Sequence, residues 1–141
     1  MEKFEQIIET YYKANDGRRF QKAEDCEFYE YALDKYINGG KHRILENGEG
    51  NNVHFFYIKN AVEAKEVQRF CQWYLHHSVG LPNMFPEEPM WACVGDDWYD
   101  YENVPVMTSL TEYINNIEET IQSYNQALSD AKWLKEQEAP V

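Results

Sequence analysis

The feature that most constrains this chain is a regular row of apolar residues near its C-terminal end. The row advances in alternating steps of four and three residues: Leu110, Ile114, Ile117, Ile121, Tyr124, Leu128 and Ala131. This spacing places every member on one face of an α-helix. Ser109 and Glu112 stand three residues apart in the pattern of a capping box. We therefore predict a long C-terminal helix over residues 110–137.

A stripe of this kind can pack inside its own domain or pair with another helix. The predicted helix is roughly 42 Å long, whereas a domain of this size is only about 37 Å across, so the helix should run the whole length of the molecule. The flanking e and g positions mostly lack the opposite charges that pair free-standing coiled coils: Thr111, Tyr113, Thr120, Asn125, Ala127 and Leu134. We therefore expect Ile117 and Ile121 to be buried and the protein to be a monomer. A homodimer built on this helix is the alternative.

The rest of the chain predicts a small antiparallel sheet with three more helices. Apolar residues spaced three and four apart favour a helix over residues 2–14 and a second one ending near Ile37. Asn60, with Glu63 three residues on, opens a third. Between them lies a predicted hairpin over residues 42–59, whose second strand is apolar on both faces and should be central. Short strands are predicted at residues 90–94 and 104–107. The fold class is therefore α+β, with three or four strands and about four helices in one domain, residues 1–141, whose tail at 136–141 is frayed.

Composition bears on the cellular compartment in which this protein is expected. The chain has 141 residues, of which 43% are hydrophobic, which argues against disorder. It contains no apolar run of about 18 residues and no apolar segment at its acidic N-terminus, so neither a membrane span nor a secretory signal is predicted. Cys26, Cys71 and Cys93 are odd in number and far apart, as is typical of reduced core thiols. We expect a cytoplasmic protein that does not bind membranes.

Charge is distributed very unevenly along the chain. The net charge is −12, and no lysine or arginine occurs between Arg69 and Lys132. The same stretch carries ten carboxylates: Glu87, Glu88, Asp96, Asp97, Asp100, Glu102, Glu112, Glu118, Glu119 and Asp130. A field of this sign repels nucleic acid and attracts basic surfaces or cations, whereas a surface built only for solubility would intersperse both signs.

The densest part of this stretch mixes acids with aromatic side chains. Carboxylates steer a basic partner, while Trp and Tyr are enriched at the energetic centres of interfaces. We therefore predict a partner-binding site, and we call its residues the acidic-aromatic set: Glu87, Glu88, Trp91, Asp96, Asp97, Trp98, Tyr99, Asp100, Tyr101 and Glu102. The alternative is that some of these rings face the core while the acids only face water.

No motif of a known catalytic class is present. The sequence lacks Gly-x-Ser-x-Gly, P-loop and Gly-x-Gly-x-x-Gly patterns. The adjacent pair His76 and His77 would point about 100° apart on a regular helix. We expect no catalytic residue, metal or cofactor. The predicted function is an acidic, inhibitor-like or immunity-like module that binds a basic protein such as a nuclease or toxin, in the manner of a nucleic-acid mimic.

Other function classes stay open. One is a small-ligand or cation-binding domain with its pocket under the loop over residues 81–107, with a weak cation site among Asp96, Asp97, Asp100 and Glu102. Another is an enzyme with an unrecognised site.

Overall fold

A computed structural model describes residues 11–48, 50–84, 87–95 and 106–138. Along the chain these residues form β1 (Tyr12–Lys13), β2 (Arg19–Phe20), α1 (Ala23–Ala32), a π-helical segment (Leu33–Asn38), β3 (His42–Glu46), β4 (Asn52–Ile58), α2 (Ala61–Tyr74), β5 (Met90–Gly95), β6 (Thr108–Ser109) and α3 (Leu110–Glu136). The fold is α+β, as the sequence predicts.

The centre of the fold is a four-stranded antiparallel sheet in the order β3-β4-β5-β6. The predicted hairpin is confirmed, because β3 and β4 pair from His42 opposite Phe56 to Glu46 opposite Asn52. Strand β4 is central, with β3 on one side and β5 on the other, which agrees with its apolar residues on both faces. The second predicted short strand is displaced, since the described pairing is at Thr108–Ser109 and Val106 forms only a single bridge to Gly80.

The main core lies between one face of this sheet and helices α1 and α2. We call this the inner face, and it contributes Phe56, Ile58, Met90, Ala92 and Val94 to the core. The helices supply large fully buried side chains, including Tyr29, Tyr36, Val67 and Phe70. Fully burying a side chain of this size stabilises the fold by roughly 1.5–3 kcal/mol, so this layer carries most of the stability.

A charged cluster joins the π-helical segment to α2. Lys35 Nζ lies 2.7 Å from Glu63 Oε2 and 3.1 Å from Glu66 Oε2, and Tyr36 donates a hydrogen bond of 3.0 Å to Glu66. Burial alone would lower the pKa of Lys35, but its hydrogen bonds to Glu63, Tyr31 and Glu66 raise that pKa above the usual value. Burial alone would raise the pKa of Glu63, but Lys35 and the Lys59 backbone N–H lower it. The buried carboxylate is therefore ionised and paired.

Local capping signals behave as the sequence predicts. Asn60 Oδ1 accepts a hydrogen bond of 3.0 Å from the Glu63 backbone N–H, and Glu63 Oε1 in turn accepts one of 2.8 Å from the Lys59 N–H. Ser109 Oγ accepts one of 3.0 Å from the Glu112 N–H. Each cap satisfies a donor that the first helical turn leaves free, which fixes the starts of α2 and α3.

The number of helices is smaller than predicted. The described residues contain three helices rather than about four. Of the helix predicted over residues 2–14, residues 1–10 lie outside the described part, and its last turn is instead strand β1, with Tyr12 opposite Phe20 and Lys13 opposite Arg19. The turn at Gly17, whose φ is 93°, brings these backbones together. Pairing with β2 therefore overrides the helical spacing at this point.

Helix α3 has the predicted start and nearly the predicted end, but not the predicted environment. It spans 27 residues, from Leu110 to Glu136, and is about 40 Å long. None of its residues is buried. The prediction that Ile117 and Ile121 are core residues is therefore wrong: 41% and 52% of their respective surfaces are exposed. Within the described part of the chain, no helix combines the length and the apolar character that crossing a membrane requires.

Candidate functional site

The face of the sheet opposite the main core is only partly covered. We call it the outer face, and its alternating residues are Arg43, Leu45, Val53, Phe55, Tyr57, Trp91 and Cys93. The first turns of α3 pack on it through Leu110 and Tyr113, which contact a small buried cluster of Val53, Phe55 and Cys93. The Tyr113 and Phe55 rings meet edge to face with centroids 5.3 Å apart. Beyond this cluster the described residues leave the outer face open, and Leu45 is half exposed.

Trp91 lies on this outer face next to the start of α3. Its ring centroid is 5.4 Å from that of Tyr57, the residue directly opposite on β4. The guanidinium carbon of Arg43 lies 5.8 Å from the Trp91 ring centroid, a cation–π distance. Both side chains border a depression of about 200 Å³, together with Ile44, Leu45, Phe55 and Leu110. The indole is therefore half-buried and leaves part of its surface to solvent.

The structure places the acidic-aromatic set only in part. Glu87 and Glu88 are exposed and precede β5, whose first residue, Met90, pairs with Ile58. The remaining members lie outside the described residues: Asp96, Asp97, Trp98, Tyr99, Asp100, Tyr101 and Glu102. They follow Gly95, which pairs with Val53 near the β3–β4 loop. In sequence the two acidic parts thus adjoin opposite ends of β5, a six-residue strand roughly 20 Å long.

The feature that sequence reasoning missed is the uncovered stripe of α3. Beyond Leu110, its large apolar residues are more than two-fifths exposed: Ile114, Ile117, Ile121, Tyr124 and Leu128. Trp133 and Leu134, further along the helix, are exposed as well. The helix passes the tip of the hairpin, where Asn47 and Gly48 border a groove of about 600 Å³ together with residues from Tyr113 to Tyr124. Monomeric proteins rarely leave a contiguous apolar surface of this kind uncovered. The heptad spacing of the stripe could have indicated this exposed surface. It was instead interpreted as evidence of packing inside the domain, and that interpretation was wrong.

Several other titratable groups of the described residues are built into the fold. His42 and His54 stack on paired strands, and burial lowers the pKa of His42 to about 4. The three cysteines are unpaired and buried, and burial raises the pKa of each thiol. Over residues 11–48, 50–84, 87–95 and 106–138, no three His, Cys, Asp or Glu side chains come together in a way that could hold a metal ion.

Comparisons of the chain with protein-family models, with curated proteins and with solved structures find no match.

Proposed function

We propose that this protein is an acidic binding module that engages a basic protein surface, one that itself binds nucleic acid. The surface of the module would be the acidic-aromatic set together with the open part of the outer face. The module would act as an inhibitor or immunity protein, with its carboxylates taking the place of nucleic-acid phosphates on the partner. The proposal includes a cytoplasmic location, which fits three unpaired, buried thiols.

The observation that carries the proposal is the absence of lysine and arginine over 62 consecutive residues that hold ten carboxylates. In the described part of this stretch, Glu87, Glu88, Glu112, Glu118 and Glu119 are all exposed. Exposed like charges repel one another, so clustering them on one surface does not itself stabilise the fold. A basic partner would gain from them through faster, steered association and through close charge pairing.

The outer face adds the apolar contact area that charge alone cannot supply. Trp91 and Leu45 present partly open side chains beside the start of α3. Arg43 is the one cation on the described outer face, and it is occupied by carbonyl oxygens of Gly40 and His42 and by the Trp91 ring. A basic groove that contacts this region would meet a half-buried aromatic anchor, a residue type enriched at interface centres.

The experiment that tests the proposal is affinity capture from lysate with two charge-matched variants. One variant changes Asp96, Asp97 and Asp100 to Asn. The control changes Glu24 and Glu27 to Gln and Asp34 to Asn, which removes the same charge from the exposed side of α1 and the segment after it. We expect basic proteins to be captured by the wild type and the control and lost with the first variant.

Competition with duplex DNA or RNA then tests mimicry. A nucleic acid that binds the captured protein should displace the module, because both would occupy the same basic groove. Equal capture by both variants, or capture that nucleic acid leaves unchanged, would contradict the proposal.

A further inference from the structure

We propose that two copies of this chain pair through α3 as an antiparallel coiled coil over residues 116–136. The proposal goes beyond the function given above and does not depend on it. It starts from the apolar stripe of α3, whose members from Ile117 to Leu128 are between 41% and 72% exposed. The last 21 residues of α3 form a helical arm about 31 Å long, and that length is three heptads.

A helical arm of this composition needs a packing partner. Helices gain most of their stability from packing an amphipathic face, and helical propensity alone stabilises them only marginally in water. The middle of the arm contains Ser123, Asn125, Ser129 and Asp130, which are weak helix formers. Within the arm the stripe runs from Ile117 to Ala131, about two heptads at the 3.5-residue period that supports a two-stranded coil.

Charge argues against the rest of the chain as the main cover. Residues 1–10 and 96–105 lie outside the described part. Both segments are net acidic. They would meet Glu118, which flanks the stripe, as a like charge.

A second copy of the chain supplies positive charge opposite the acidic residues beside the stripe. The only lysines after Arg69 are Lys132 and Lys135, near the end of α3, whereas its first half carries Glu112, Glu118 and Glu119. An antiparallel pair sets Lys132 and Lys135 of each helix against the acidic half of the other. A parallel pair would set the acidic halves side by side.

The heptad positions define one register for this pair. With Ile117, Tyr124 and Ala131 at d, the e positions of the arm are Glu118, Asn125 and Lys132. Equivalent e positions face each other in an antiparallel coil. Centring the pair on Asn125 therefore places Glu118 of each copy opposite Lys132 of the other, with Tyr124 and Leu128 sharing the central layers.

This register also fits the shape of the domain. It leaves residues 110–115 on their own sheet, where Leu110 and Tyr113 pack against the outer face. The end of the second helix reaches the level of Ile117, in the groove of about 600 Å³ between α3 and the hairpin tip at Asn47 and Gly48. The second copy would occupy this groove, and the two domains would lie at opposite ends of the coil.

The first test is the mass of the full chain by light scattering and sedimentation. We expect twice the 16.8 kDa of one chain for the wild type and for Ser123→Asp, which adds a charge on the polar face. Ile121→Asp adds the same charge within the stripe and should give the single-chain mass. A wild-type mass of 16.8 kDa across the accessible concentration range, or a dimer unaffected by Ile121→Asp, would overturn the proposal.

A second test determines whether the two helices run antiparallel or parallel. Most of its variants leave the apolar stripe intact. Asn125→Cys should cross-link efficiently with a short bis-maleimide, because the two positions lie close to the symmetry axis. Ile117→Cys should not, because its copies stand about 24 Å apart along the coil axis in this register. Glu118→Lys and Lys132→Glu should each weaken the dimer, and the two combined should restore it. Cross-linking at Ile117→Cys instead of Asn125→Cys would show a parallel pair and contradict the proposal.

Discussion

His42 Nε2 lies 2.9 Å from His54 Nδ1, and the two rings stack with centroids 5.1 Å apart on neighbouring strands of the sheet. The His42 ring also packs 4.7 Å from that of Phe56 and edge to face against Tyr74. Burial, followed by the nearby His54 and Arg43, lowers the pKa of His42 from 6.5 to about 4. The folded protein therefore holds this ring neutral over a pH range in which the unfolded chain protonates it.

This pair predicts an acid-sensitive stability. Between pH 6.5 and 4 the unfolded state binds more protons at His42 than the folded state does, so the free energy of unfolding must fall as pH falls through this range. The loss at His42 should be about 2–3 kcal/mol by pH 4. Urea unfolding at several pH values measures it. His42→Gln removes the titrating group, so its stability should fall less steeply, and parallel curves for the two proteins would contradict the assignment.

The Lys35 cluster predicts a large cost for removing one charge. Lys35→Met would leave the Glu63 carboxylate buried with no counter-charge, and we expect a loss of roughly 2–4 kcal/mol in the free energy of unfolding. The double variant Lys35→Met with Glu63→Gln should recover much of that loss, because it removes the stranded charge. Urea unfolding of the three proteins tests the coupling. A single-variant loss below about 0.5 kcal/mol would show that the pair behaves as a solvated surface contact.

The stability cost of a mutation should depend on protein concentration for the stripe of α3 but not for the main core. Phe70 is fully buried inside one chain, so Phe70→Ala should cost about 3–5 kcal/mol at any concentration. If α3 pairs with a second copy, the cost of Ile121→Ala should instead grow with protein concentration, since association stabilises the folded state by mass action. Thermal unfolding over a hundredfold concentration range separates the two cases.

The cysteines predict slow thiol chemistry. Burial raises the pKa of Cys26 and Cys71, and it raises that of Cys93 to about 11. Because the thiolate is the reactive form, native protein at pH 8 should react with a thiol reagent far more slowly than protein unfolded in urea. Immediate reaction of one thiol in the native protein would contradict this prediction. It would show that a cysteine buried in the structure is accessible to solvent.

Sequence reasoning worked where the determining interactions are local. Asn60 and Ser109 accept the backbone hydrogen bonds that a capping signal implies, and the apolar character of both faces of β4 sets its central position. It failed where pairing with another segment competes with the local periodicity. Tyr12 lies in a strand because Phe20 pairs with it, and the helical spacing around Tyr12 carries no trace of that pairing.

The candidate site shows the same limit. A heptad stripe reports that Ile121 needs an apolar neighbour, but not whether that neighbour belongs to the same chain. Trp91 and Glu88 stand three residues apart in sequence, yet Trp91 packs on the sheet while Glu88 faces solvent. The sequence composition was enough to identify the acidic stretch. Which of its described residues lie on the same surface depends on the pairing of the strands, which composition does not reveal.

The most direct test of the central claim is the association rate of the captured basic partner at two salt concentrations. Exposed charges act mainly on association and are screened within about 8 Å at physiological salt. We expect wild-type association to slow markedly as salt rises. The variant with Asp96, Asp97 and Asp100 changed to Asn should associate more slowly and with a flatter salt dependence, while its folding is unchanged. An unchanged rate and salt slope would show that the acidic stretch is only a solvated surface.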